Sequence, residues 1–551
     1  MPHLKKEAPP DVLESVRKAE AQADECWRPL EILKSPLEVA VWALLTGGIE
    51  KVEREQAARG SNTPHFDAML GNLSRLLAIG VKWGIRHGRA ATSPVARRWT
   101  HELAAAVDEA LPVATQYSHF EVCFQGFHKN RYAVDVITPT SLRFTVPSSE
   151  RDRQVSAYQK GLRPREGQFA GQRAAQPPQN PRVHEAAERV LRGALQTGAR
   201  SFEYDDSWDL WRQLLPEYTE RVRALARRAD SLSLGEYRLD EFNSFYAALI
   251  AICAAHDFLC FRWGQMSGVY PIESAVMVRP SAQLSETLAA LSGVAHEKCQ
   301  LMVSDLAFSV TQSVDLHVYP LIPLDGANRT LAIAPPFPLH SRHDENILRV
   351  CSQRRPQVYD VTSLQKQSEM LAAARVAGAR YAADGPIQLP SPNPDVDFLA
   401  VDESCSAVLI AELKWVRKTV RPAEIPDRDA DVLKGVAQLQ TIRAFLQQNP
   451  GQLSAVGRLP RRVDAYERVQ YLLVARDHWR WVEPHNGIAI VEFDAFARAL
   501  ATSNSLREAL TELLTYEWLP VEGRDFSVRC DRAVANGVSI ESPVFYSTAP
   551  A

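Results

Sequence analysis

Residues 393–415 read NPDVDFLAVDESCSAVLIAELKW. Two short apolar runs, FLAV and AVLIA, flank a polar break. Neither run alternates apolar with polar residues, so neither can rest one face in water. Both read as strands that must be covered on two sides. A chain carrying such runs has to supply helices to both faces of a sheet. Yet the second run ends on Glu412 and Lys414, charged residues at the edge of what should be a dry layer.

The neighbouring segments meet that demand. A helix is expected over about 363–377, stopped by Gly378. A strand around 380–389 would follow, then the two quoted strands. Residues 431–448, DVLKGVAQLQTIRAFLQQ, make an amphipathic helix with Val432, Val436, Leu439 and Phe445 inward. VQYLLVA (469–475) and IAIVEF (488–493) are further buried strands. Helix, three strands, helix, strand, strand is the order of an α/β sandwich around a small mixed sheet.

The rest of the 551 residues has room for about three or four domains in total. From Asp11 to Ala110 apolar residues recur at helical spacing, as in Leu37, Val41, Leu44 and Leu45. FEVCF, YAVDVI and LRFTV, between His119 and Val146, are strand-like. Residues 147–183, including QRAAQPPQNPR, read as a linker or mobile loop. Helical periodicity returns over 184–301, followed by the strand-like VDLHVYPLI and TLAIAPPF; near the C-terminus Phe526–Arg529 alternates and SIESPVFYS closes the pattern. The expected fold is multidomain α+β: a helix-rich region 1–146 ending in a small β element, a mostly helical middle region 184–349 with some strands, an α/β domain with a central mixed sheet over 350–500, and an extension over 501–551.

Formal net charge is −3, so the whole chain is not a polycation that would coat nucleic acid indiscriminately. The N-terminal MPHLKKEAPPDVLES has no apolar stretch after its lysines, and a secretory signal is not expected. The most membrane-like segment, Tyr246–Ala255, is short and reads as a buried core helix. Eight cysteines without a CxxC pair suit reduced thiols. A soluble, cytoplasmic protein is the expectation.

Strand side chains alternate, so Glu412 and Lys414 share a face while Leu413 points to the other. If the two runs pair as a hairpin around Asp402–Ser406, Asp397 comes near Glu412 at the sheet end. Two convergent carboxylates form a hard oxygen site suited to Mg²⁺, with Mn²⁺ as a substitute. A lysine one pleat away can orient metal-bound water and stabilise charge on a phosphorane-like transition state. These are parts for metal-assisted phosphodiester hydrolysis.

In these residues the chain resembles the PD-(D/E)xK nuclease superfamily, which has the restriction-endonuclease-like fold. The resemblance covers about residues 350–500. It rests on Asp397 opening one strand, Glu412-Leu413-Lys414 ending the next, and Glu369 on the preceding helix, in SLQKQSEMLAAARVAG. Asp395 occupies the literal PD position, but Asp397 stands directly before the strand and is preferred. The resemblance implies Asp397, Glu412 and Glu369 as metal ligands and Lys414 as the catalytic lysine. Gln438 matches a further catalytic position on the following helix, with Lys434 one turn earlier and able to reach a phosphate. Arg417, Lys418 and Arg421, just past the lysine, are placed to meet nucleic acid.

Other clusters are weaker. His340, His343, Asp344 and Glu345 have no defensible zinc spacing and read as an exposed turn and helix start. Cys253, His256 and Cys260 lie at helical spacing in a very apolar helix and read as core. Arg86, Arg89, Arg97 and Arg98, and Arg151, Arg153, Lys160, Arg163 and Arg165, form basic stretches that read chiefly as solvated surface. No Walker A loop, GxSxG elbow or dinucleotide fingerprint occurs. The functional expectation is a Mg²⁺-dependent DNA endonuclease, by resemblance a restriction or anti-phage effector. It would act alone, as a homo-oligomer or with other protein subunits, and without a membrane. The alternative is an inactive nuclease fold that binds DNA or assembles partners. RNA is a third substrate option.

Overall fold

The computed structural model describes residues 8–59, 64–88, 97–146, 149–159, 180–198, 200–225, 232–311, 315–325, 329–417, 425–476 and 484–548. The chain divides into two compact units, each built from discontinuous stretches. One takes Met1–Ala21, Phe120–Gln168 and Val361–Pro550; the other takes Gln22–His119 and Phe169–Asp360, with Ala551. This division differs from the linear order expected from composition. The 133–145 segment and residues 501–548 belong with the quoted strands.

The elements of the first unit that bear on the site are strands β1 (Ala133–Thr138) and β2 (Ser141–Thr145), helices α1 (Glu150–Gln159) and α2 (Pro356–Ala377, its first turn assigned to the other unit), strands β3 (Phe398–Asp402) and β4 (Ala407–Trp415), helix α3 (Ile425–Gln448), strands β5 (Arg468–Arg476) and β6 (Ala489–Glu492), helices α4 (Phe493–Thr502) and α5 (Leu506–Thr515), and strands β7 (Phe526–Ala535) and β8 (Val538–Ser547). The central sheet has the order β6-β5-β4-β3. β3 and β4 form the antiparallel hairpin read from the sequence. β4, β5 and β6 run parallel, so the sheet is mixed. A second sheet orders β1-β2-β8-β7.

The apolar runs are buried on both faces as their composition requires. Leu409, Ala411, Leu413, Leu472 and Val474 pack with Met370 and Ala374 of α2, Phe496 and Leu500 of α4, and Leu506, Leu510 and Leu513 of α5. On the opposite face Val408, Ile410, Leu473 and Ile490 meet Val432, Val436, Leu439, Ile442 and Leu446 of α3. The hairpin turn is held by Asp402. One of its oxygens accepts from Ser404 N and the other from Leu506 N at the start of α5, at 2.9 Å. A single short side chain thus fixes both the turn and the helix that roofs one face.

Several local expectations are corrected. FEVCF lies inside the helix His101–His128. Phe120, Cys123, Phe124 and Phe127 are buried at helical spacing, so the 3.6-residue period outweighs the β-prone composition. The 380–389 segment is not a strand: it holds a short helical turn at Ala379–Tyr381 and isolated bridges, Asp384 to Leu399 and Ile387 to Val396. Gly385 has φ +138°, and prolines lack the N–H a ladder needs. Among the described residues of VDLHVYPLI, only its last, Ile322, is in a strand, the short Ile322–Pro323.

In the second unit the segment read as too short for a membrane belongs to a helix, Leu239–Ser267, that is long and apolar enough to cross one. In its most apolar window 83% is buried within the protein, which is the packing of a core helix. His256 in that helix is a satisfied core histidine: Tyr204 Oη approaches Nδ1 at 2.6 Å and Ser274 O lies 2.7 Å from Nε2. His343 does begin a helix, His343–Arg354, but it is buried against Tyr246, ring centroids 5.0 Å apart, and not exposed.

Because α5 completes one face of the central sheet, a fragment of residues 350–500 would expose the partners of Leu506, Leu510 and Leu513, each fully buried. Burying such side chains contributes about 1.5–3 kcal/mol apiece, against a typical net stability of about 5–15 kcal/mol. The isolated fragment is expected to lack the cooperative thermal transition of the full chain by circular dichroism. A cooperative melt of the fragment would show that the sheet does not depend on α5.

Candidate functional site

The hairpin register pairs Phe398 with Ala411, which sets Asp397 opposite Glu412 as β3 begins. Cross-strand neighbours of this kind have Cβ atoms about 4.5–5.5 Å apart on one face. Asp397 Oδ2 accepts from Leu413 N at 3.0 Å. Lys414 shares the face of Glu412, and its Nζ lies 2.6 Å from Glu412 Oε1. Three side chains chosen from sequence therefore do meet at the end of the hairpin.

The local electrostatics are those of a crowded acidic site. Glu412 is 2% exposed. Burial first, then the Asp397 charge, pushes its carboxyl up to about 7, with Lys414 offsetting only part of the shift. Burial also raises Asp397, against the pull of the Leu413 amide and Lys414. The two carboxyls interact directly, and Glu412 Oε2 is buried without a hydrogen-bond donor. Two such groups remain close only around a proton or a cation. The unpartnered oxygen and the all-oxygen donor pair fit a hard divalent ion.

Two further residues shape this end of β4. Past Ala411, β3 offers no main-chain partner. The Gln367 carboxamide on α2 takes that edge: Nε2 donates to Leu413 O, and Oε1 accepts from Trp415 N at 2.7 Å. On α3, Gly435 is the residue pressed against Lys414. A Cβ there would lie 3.0 Å from Lys414 Cε and 2.7 Å from Leu473 Cδ1. Neither residue was singled out from sequence, though both leave a signal. Gln367 falls on the same helix stripe as Met370 and Ala374, and a mid-helix glycine costs about 1 kcal/mol unless close packing needs it.

The other expected site residues separate. Glu369 pairs with the buried Lys366 at 2.6 Å rather than joining the carboxylate pair. Among the described residues no group of three or more His, Cys, Asp and Glu side chains is arranged to hold a metal ion. Gln438 is half-buried on α3. Lys434 is exposed and pairs with Asp431 at 3.6 Å. Arg417 is buried, with 8% exposure. Lys418 and Arg421 lie outside the described residues, as do Arg89, Lys160, Arg163 and Arg165. Of the remaining basic stretches, Arg97 pairs with Glu38 and Arg153 with Glu522, while Arg151 lies over the Tyr516 ring.

No family model matches this chain, and neither a curated protein nor a solved structure matches it.

Two outcomes follow from the geometry. Gly435→Ala would gain helix propensity on an exposed helix, but here the methyl has to displace Leu473 or Lys414. Overpacking of this kind costs about 1–3 kcal/mol, so urea unfolding is expected to show net destabilisation. A more stable variant would mean that α3 does not press on Lys414.

The second outcome concerns pH. A carboxyl raised on folding from 4.5 to about 7 keeps its proton in the folded state where the unfolded chain has already released it. Stability in metal-free buffer is therefore highest below pH 4.5 for this group and falls as pH rises through 7. The loss is about 1–3 kcal/mol. Glu412→Gln should flatten that part of the profile in urea titrations at pH 5 and 7.5. An unchanged slope would assign it to other groups.

Proposed function

We propose that the first unit is a divalent-metal-dependent phosphodiester hydrolase that cuts DNA. The observation that carries the reading is the convergence of Asp397, Glu412 and Lys414 at one end of the β3–β4 hairpin, with Glu412 Oε2 buried and unpartnered. Asp397 would ligate Mg²⁺ through the oxygen not engaged by Leu413 N, and Glu412 through the oxygen not engaged by Lys414. When bound, the ion supplies charge neutralisation at the phosphate and acidifies its own water.

The protein's side chains do the remaining work. Leu413 N holds the Asp397 carboxylate in place. Lys414 keeps Glu412 oriented with one N–H and has two further N–H groups for water and a phosphate oxygen. Its positive charge sits where negative charge grows in the transition state. Restriction or anti-phage defence, and a cytoplasmic setting, extend this reading by the resemblance alone.

A second reading is favoured by the Lys366–Glu369 pair, which leaves two carboxylates where the resemblance implies three. On that reading the fold binds DNA or partner proteins without cutting.

Plasmid nicking separates the two. With Mg²⁺ or Mn²⁺ the wild-type protein is expected to nick, and Ca²⁺ should allow binding with little cutting because its looser shell positions water poorly. Glu412→Gln should weaken Mn²⁺ binding. Lys414→Ala should leave Mn²⁺ bound while the cleavage rate drops about 10²–10³-fold. Binding of DNA with no metal-dependent cutting would select the second reading, and cutting by Lys414→Ala at the wild-type rate would remove the lysine from the chemistry. An RNA substrate run in parallel decides the sugar.

A further inference from the structure

We infer that Gln367 is a positioning residue for Glu412 and Lys414, its carboxamide replacing the strand that β4 lacks along its last residues. The activity arm of this inference rests on the function proposed above; the structural arm does not.

β3 pairs with β4 only as far as Ala411. Beyond that point the Leu413 N–H, the Leu413 C=O and the Trp415 N–H all open toward the same edge, because alternate residues of a strand direct their main-chain groups to one side. Asp397 Oδ2 fills the first position. Gln367 fills the other two, donating to Leu413 O and accepting from Trp415 N. A carboxamide carries a donor and an acceptor at fixed separation, so it satisfies a strand edge in the way a peptide unit does.

The two peptide groups held in this way join Leu413 to Lys414 and Lys414 to Trp415. Their planes set the direction in which the Lys414 side chain leaves the strand, and Leu413 N fixes Asp397 opposite Glu412. On the opposite edge β5 holds the same stretch in register, Leu473 with Glu412 and Ala475 with Lys414. The site strand is thus clamped between a true strand and a side-chain substitute. Without the clamp, β4 retains its apolar packing and its pairing with β5, but its last peptide groups are held from one edge only. Gln367 touches none of Asp397, Glu412 or Lys414 through its side-chain hydrogen bonds, so its effect has to pass through the backbone.

The experiment compares the full-length wild-type chain with Gln367→Met, which keeps length and bulk but removes both hydrogen bonds. The readouts are amide hydrogen exchange over 413–415, Mn²⁺ affinity by calorimetry, and kcat and KM for nicking. Expected are faster exchange confined to that stretch, Mn²⁺ affinity or kcat lower by about 10–100-fold, as for other residues that orient metal ligands, and unchanged KM for DNA. Faster exchange with wild-type Mn²⁺ affinity and wild-type kcat would overturn the inference and leave Gln367 a staple between α2 and the sheet. Unchanged exchange would also overturn it. If the wild-type protein neither binds Mn²⁺ nor cuts, the proposed function fails on its own, and the exchange rate alone decides the clamp. Should Gln367→Met fail to fold, Gln367→Glu serves. Its carboxylate can accept from Trp415 N but cannot donate to Leu413 O, so the same changes are expected in smaller measure, and their complete absence overturns the inference.

Discussion

The arrangement depends on a mismatch in strand length. β4 is nine residues long and β3 five, so β4 runs past the end of its antiparallel partner. Main-chain groups left there must be satisfied, since a part-buried N–H or C=O without a partner costs about 1–3 kcal/mol. The protein answers with side chains, Asp397 for one position and Gln367 for two. That solution draws a carboxylate to the strand end and sets it beside Glu412. The polar site is a consequence of how the sheet is finished.

The same spot concentrates like charge. Glu412 is buried in a layer that is otherwise apolar, next to a second acid and with one lysine as partner. Lys414 lies on one oxygen of Glu412 and leaves the other open. An arrangement made only for stability would replace such a pair with apolar residues at little cost. Its presence in a dry layer is the physical argument behind the proposed cation, and a hard divalent ion is the kind of ligand that two carboxylates would suit.

Packing explains how the site can be rigid. α3 presses Gly435 onto Lys414, α2 grips the strand end through Gln367, and β5 holds the opposite edge. Asp402 ties the hairpin turn to α5. The side chains at the hairpin end are therefore supported from three secondary elements that lie far apart in sequence. In the sequence the residues with the chemistry stand close together, while those that hold them are dispersed.

What the sequence determined by itself was local and periodic. Unbroken apolar runs fixed β3, β4, β5 and β6 as strands covered on both faces, and alternation put Glu412 and Lys414 on one side. Gly378 ends α2 as read, and Val432, Val436 and Leu439 face inward as read. What only the tertiary structure decided was non-local. The chain was expected to form consecutive domains, yet strands near residues 133–145 and after 526 share one sheet. Glu369 had the right chemistry for the site, but Lys366 claims it, while Gln367, two residues away, reaches the strand. Helical position cannot distinguish these neighbours, because which of them arrives at β4 depends on how α2 is rotated against the sheet. Pairing across long sequence separations is set by shape and total burial, which no short window of residues contains.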